Sequence, residues 1–291
     1  MVKEVAMSER GSPAFRRRRL GMELRRLRES LNLTGDEVAD RLLWSTAKVS
    51  RIENAKTLAS QVDVEALAEL YGVEEALRGV LVALRHDAAQ KGWWERYRNS
   101  IPDDYTMLIG MEAEATVVRS WEPQIVPGLL QTETYAWSLS LASQHASQLP
   151  PSWLQDRIEI RTERQRTLLH TADPLTHVSV LHESVLRNQY GDARVMRDQL
   201  VHLIEVSELE HVEMRILPQV VPPPVSTGAF LHLTFPDFPD VVYEESLPGG
   251  RLVEDAETVY MYERAFGHLM ERALDEAASQ ELIKKTIKHW S

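Results

Sequence analysis

Between Leu20 and Glu53 the chain reads LGMELRRLRESLNLTGDEVADRLLWSTAKVSRIE. This stretch constrains the fold more than any other, because it holds three short apolar patterns separated by two tight breaks. Leu20, Leu24, Leu27 and Leu31 recur at three and four residues, one apolar face of a first helix. Thr34 with Glu37 three residues on is a capping box, so a second helix starts there, burying Val38, Ala39 and Leu42. Ser45 is the next N-cap, with Val49 and Ile52 as the inward positions of a third helix. Helices this short cannot bury an apolar face alone. They must pack on each other and on the first helix, which is the geometry of a helix-turn-helix motif.

Such a motif implies a DNA partner, and the charge distribution agrees. The whole chain of 291 residues carries −11. From Arg10 to Lys56 there are 12 Lys/Arg against 6 Asp/Glu, which leaves −17 for the rest. A basic patch on an acidic body is the footprint of a localised DNA-binding module. With Val49 and Ile52 inward, Thr46, Ala47, Ser50 and Arg51 face away, where base edges would be met. Arg51 suits guanine, or else pairs with Glu53 or Glu29; Thr46 and Ala47 suit a thymine methyl. Lys48 and Lys56 are assigned to phosphate. Thr34 and Ser45, at the helix starts, are counted with the DNA-facing set. The run Arg16, Arg17, Arg18 and Arg19 reads either as a solubilising helix start or as a basic arm on phosphate or in the minor groove. Arg25, Arg26 and Arg28 extend the same strip, or some of them only pair with Glu29 or Glu53.

The organisation expected is a flexible tail over 1–15, an all-α DNA-binding domain over 16–88, and an α+β domain over 89–291. After the motif, Ser60 caps a fourth helix with Val64, Leu67, Ala68 and Leu70 inward, ended by Gly72. A fifth carries Leu77, Val80, Leu81 and Leu84 on one stripe, read as core or as a dimer seam. Trp93, Trp94, Tyr97 and Tyr105 mark a composition change and are read as buried anchors in preference to base-stacking platforms. A strand near Thr116–Val118, a helix from Thr132 and a long helix over 150–169 follow, with 156–166 mostly a solvated, salt-bridged face. Then come THVSVLHES, HVEMRILP, GAFLHLTFP and DVVYEES, short alternating runs bounded by Pro and Gly, and Arg251–Val253. A helix over 193–209 and two closing helices over 256–278 and 280–290 complete a helix–strand mixture without strict alternation, hence α+β.

Two resemblances support this division. LTGDEVADRLLWSTAKVSRIENAK resembles the helix-turn-helix of the phage-repressor-like (XRE) regulators, departing from it at Leu43, where glycine is usual, and at Gly35-Asp36. VPGLLQTETYA, RTERQRTLL, HESVLRNQYG, MRDQLVHLIEV, VEMRILP, GAF and VVYEES, in that order, resemble the DUF5753 domain that follows such a motif in actinobacterial, WhiJ-like, antitoxin-like regulators. The resemblance implies a cytoplasmic transcription regulator, a small DUF397-type protein as partner, and no established catalysis.

The remaining expectations are a homodimer, since one such module reads few base pairs, a small-molecule effector of unknown kind, no cofactor, no metal and no membrane partner. The alternative is an antitoxin-like adaptor whose DNA binding is autoregulatory. There is no cysteine, no 18-residue apolar run, and no HExxH, glycine-rich phosphate loop or GxSxG, so an enzyme is not expected. His182-Glu183-Ser184 invites a triad reading, rejected because strand neighbours point to opposite faces. Pro222–Pro224 is read as a stiff linker or a docking loop. Tyr243, Glu244 and Glu245 are read as a sheet set, or as the lining of a pocket for a cation.

Overall fold

The computed structural model describes residues 12–90, 92–147, 150–169, 171–223, 228–236, 238–245 and 250–290. Residues 1–11, most of the expected tail, and Pro224 lie outside them. The chain forms two compact units, Met1–Glu95 and Arg96–Ser291, so the boundary lies beyond the 88/89 division expected.

The first unit holds α1 (Pro13–Ser30), α2 (Gly35–Leu42), α3 (Thr46–Glu53), α4 (Gln61–Leu70) and α5 (Glu75–Asp87). Helix α1 starts before the end of the expected tail. Ser12 accepts a hydrogen bond from the Phe15 N–H, Pro13 occupies the first turn, and Phe15 is buried. Ser-Pro is a helix-start signal that outweighs the tail-like composition around it. Leu20, Leu24, Val38, Ala39, Val49, Ile52, Val64, Leu67, Ala68 and Leu81 form one core. Leu31 does not join it: it caps the end of α1 and is 46% exposed. On α5, Leu81 is buried and Val80 faces out.

In the second unit, α6 (Asp103–Glu114) leads into β1 (Val117–Glu122). Then come α7 (Glu133–Ser147), α8 (Pro151–Leu168), β2 (Thr176–His182), α9 (Ala193–Val206) and β3 (Val212–Leu217). Strands β4 (Phe230–Thr234), β5 (Val241–Glu245) and β6 (Gly250–Val253) precede α10 (Ala256–Arg272) and α11 (Glu276–Ile287). Asp275 caps α11 through the Ala278 N–H, which is why the break falls before the division expected at 278/280.

Among the described residues the strands form one sheet of order β3-β2-β1-β4-β5-β6. The first three are parallel, linked by helical crossovers, and the others antiparallel. One face packs Trp121, Val180, Phe230 and Val242 on Val259, Phe266 and Leu269 of α10. Trp94 and Tyr97 are buried anchors, as expected.

Two expectations fail here. The 156–166 stretch is not a solvated face throughout. Arg164 is buried and makes a two-point pair with Glu112 of α6, 2.8 and 2.6 Å, with the Tyr105 hydroxyl 2.5 Å away. Alternating charges conceal such a pair, because its partner lies fifty residues off in sequence. The strand argument about His182 fails too, since β2 ends there and a 3₁₀ turn, Glu183–Leu186, begins. His182 Nδ1 and Ser184 Oγ are 2.7 Å apart. Ser184 also donates to the Pro123 carbonyl, and Glu183 is engaged by Arg187 and the Gln219 N–H, turned from any triad.

Candidate nucleic-acid interface

Helix α3 is held at both ends, and this decides which of its side chains are available. At its start, Ser45 accepts from the Lys48 N–H at 3.2 Å. The Thr34–Glu37 capping box at the start of α2 is formed in both directions, 3.2 and 2.7 Å. Between α2 and α3 the chain turns through Leu43 at φ 56, ψ 39, the left-handed region. The Trp44 N–H closes the turn on the Ala39 carbonyl at 2.8 Å. This is the glycine-type C-cap occupied by leucine.

At the far end, Arg28 grips Glu53 through two parallel bonds of 2.7 and 2.9 Å and donates to the Leu33 carbonyl at 2.7 Å. The Arg28 and Glu53 side chains are 12% and 8% exposed. Beside them Gly21 of α1 lets the backbones touch; a Cβ there would sit 2.6 Å from the Glu53 carbonyl oxygen.

Of the sequence-derived set, Ala47, Ser50, Arg51 and Lys56 are exposed. Among the described residues, Arg51 makes no side-chain hydrogen bond or ion pair. Its expected competitors are occupied, Glu53 by Arg28 and Glu29 by Arg25 at 2.8 Å. Ser50 is a neighbour of Asn54, whose amide donates to the Ser50 carbonyl at 2.8 Å. Thr46 is exposed, but its hydroxyl donates to Asp36 at 2.6 Å.

Three of the cationic assignments are engaged within the protein. Lys48 is not a free phosphate contact: it pairs with Asp63 at 2.5 Å and sits 3.8 Å over the Trp44 ring. Desolvation raises the Asp63 carboxyl, but hydrogen bonds from Lys48 and Ser60 outweigh it and hold the group below its ordinary range. Arg25 is engaged with Glu29 on the exposed side of α1. Arg16, Arg17, Arg18 and Arg19 are not an arm. They lie half-buried within α1, and Arg16 pairs with Asp87 of α5 at 3.1 Å. Consecutive helical residues point about 100° apart, so the four spread around the helix instead of forming a strip.

Sequence reasoning missed Asp36, Trp44 and Asp63 as the groups that set Thr46 and Lys48. The Ser60–Asp63 spacing was a legible capping signal; the cross-helix pairs had no local signature.

No helix among the described residues is long and apolar enough to cross a membrane. Compared with known families, residues 19–81 match a helix-turn-helix domain, and residues 105–285 match a domain of unknown function, DUF5753. No curated protein and no solved structure matches the chain. The second match spans more than half of the sequence, so the chain belongs to the DUF5753 family and carries its DUF5753 domain behind a helix-turn-helix domain, the type of module found in DNA-binding regulators.

Proposed function

We propose that this protein is a sequence-specific transcription regulator whose α3 enters the major groove and whose second unit senses a partner or effector. The observation that carries the reading is Arg51: an exposed guanidinium without a side-chain partner among the described residues, on the outer face of a helix locked by its neighbours. Guanine offers that group two acceptors in the major groove. Ala47 and the Thr46 methyl supply apolar contacts beside it, and Lys56 a phosphate contact. A homodimer on two half-sites about one helical turn apart would give useful specificity. The acidic remainder of the chain would keep the rest of the protein off nucleic acid.

The test is binding of the purified protein to its own upstream DNA across a salt series, with and without a DUF397-type neighbour. Arg51→Ala is expected to cost roughly 1–3 kcal/mol of specific affinity and to relax one base position. Unchanged operator binding by that variant would place the recognition surface elsewhere. A shift on adding the neighbour would make it the partner. Weak, sequence-blind binding would favour the antitoxin-like adaptor.

A further inference from the structure

The sheet face under α6 and α8 has an unusual lining. Register puts Ser120, Glu122, His177 and Ser179 on that face, each at most 4% exposed. Apolar packing needs no carboxyl or imidazole there. Between this face, α6, α8 and the 125–131 segment lies a cavity with about 80 Å³ of accessible space.

The charges around it fall into two groups. Glu112 and Arg164 satisfy each other. The others do not: Glu122 Oε2, Gln131 Oε1, His177 Nδ1, and Arg161 Nε and Nη1 are buried with no hydrogen-bond partner in the protein. Unpaired buried polar atoms are rare in folded proteins and costly, and here several line one cavity. Glu245, at the end of β5, lines it too. Sequence alone had linked that residue to a cation pocket.

The chemistry of the unpaired atoms is two-sided. Arg161 offers only donors and keeps its charge, so it calls for an anionic group. Glu122 Oε2 and Gln131 Oε1 call for a donor or a cation, and Glu245 in the lining adds negative charge beside them. Burial first, then the nearby Glu245, pushes the Glu122 carboxyl well above its ordinary range, a shift that a cationic partner would reverse. Glu122 and Arg161 do not pair with each other and line the same cavity, so one ligand can supply both complements. Leu108, Leu129 and Leu231 leave room for a short apolar group. The volume is below that of drug-sized sites.

We infer that this cavity is a binding site for a small zwitterion of the α-amino-acid class, its carboxylate on Arg161 and its ammonium among Glu122, Gln131 and Glu245. The site deepens the effector role proposed above, resting on that reading only for its purpose. Binding is measured without DNA, so either idea can fail alone.

The experiment is calorimetry and thermal melting of the full chain with each standard amino acid, and with matched carboxylic acids and amines lacking one of the two charges. At least one amino acid is expected to bind and, near a hundredfold excess over its Kd, to raise the second unit's melting temperature by several degrees. The singly charged analogues should bind at least about tenfold more weakly. Arg161→Gln and the isosteric Glu122→Gln should each lose about tenfold or more in affinity. Neither should lower the ligand-free melting temperature, since Arg161→Gln removes a charge whose buried nitrogens have no hydrogen-bond partner and Glu122→Gln replaces a carboxyl whose charged form burial already disfavours. A silent panel, equal binding of the analogues, or full binding by both variants would overturn the assignment. If one variant fails to fold, the other and the analogue series still decide.

Discussion

Leu43→Gly should stabilise the helix-turn-helix unit. Leu43 is held at φ 56, ψ 39, which costs an L-residue roughly 1–2 kcal/mol. Its side chain is 94% exposed, so truncation forfeits almost no packing. Glycine removes the strain but gains freedom in the unfolded chain, which returns about 0.5–1 kcal/mol. The net is roughly 0.5–1 kcal/mol in favour of the variant. Hydrogen exchange reads it directly: amides of α2 and α3 that open only with the whole unit should slow roughly two- to fivefold. Leu43→Ala is the control. It keeps the backbone cost and loses only an exposed side chain, so it should stay within about 0.5 kcal/mol of the native protein. Faster exchange in Leu43→Gly, or equal slowing in Leu43→Ala, would refute the argument that the backbone angle carries the cost.

Gly21→Ala should destabilise the same unit by about 1–3 kcal/mol or more, because its Cβ would meet the Glu53 carbonyl oxygen at 2.6 Å; chemical denaturation followed by circular dichroism checks it. Lys48→Ala should leave the salt slope of DNA binding unchanged, since Lys48 is paired with Asp63, whereas Lys56→Ala should make it shallower by about one. Both slopes come from fluorescence anisotropy across a salt series. Burial first, then the charges of Arg164 and His211, pushes the His177 imidazole down to about 4. A folded value below the unfolded one, about 6.5, means that this stability is complete above pH 6.5 and lost as pH falls towards 4, about 3 kcal/mol in all. His177→Gln should flatten that part of the second unit's stability–pH curve.

The helix-turn-helix was legible because its signals are local: Thr34 with Glu37, Ser45 before Thr46, and Val49 with Ile52 at one-turn spacing. The strands were legible from alternation bounded by Pro and Gly, and each run corresponds to a strand of the sheet. What escaped is what depends on distant partners. Nothing near Lys48 announces Asp63, whereas Glu53 was among the partners open to Arg28. The cavity escaped for the same reason. Arg161 and Arg164 sit in a run of charges that looks solvated, and their burial follows only once α8 lies against α6 and the sheet.

The clamping of α3 has a consequence for evolvability. Its anchors are Asp36, Asp63, Arg28 and Gly21, all outside the helix. The exposed Ala47, Ser50 and Arg51 contribute little to that hold. Under the proposed reading, target preference can therefore drift, or be rewritten by grafting a few letters, on a scaffold whose cohesion does not register the change.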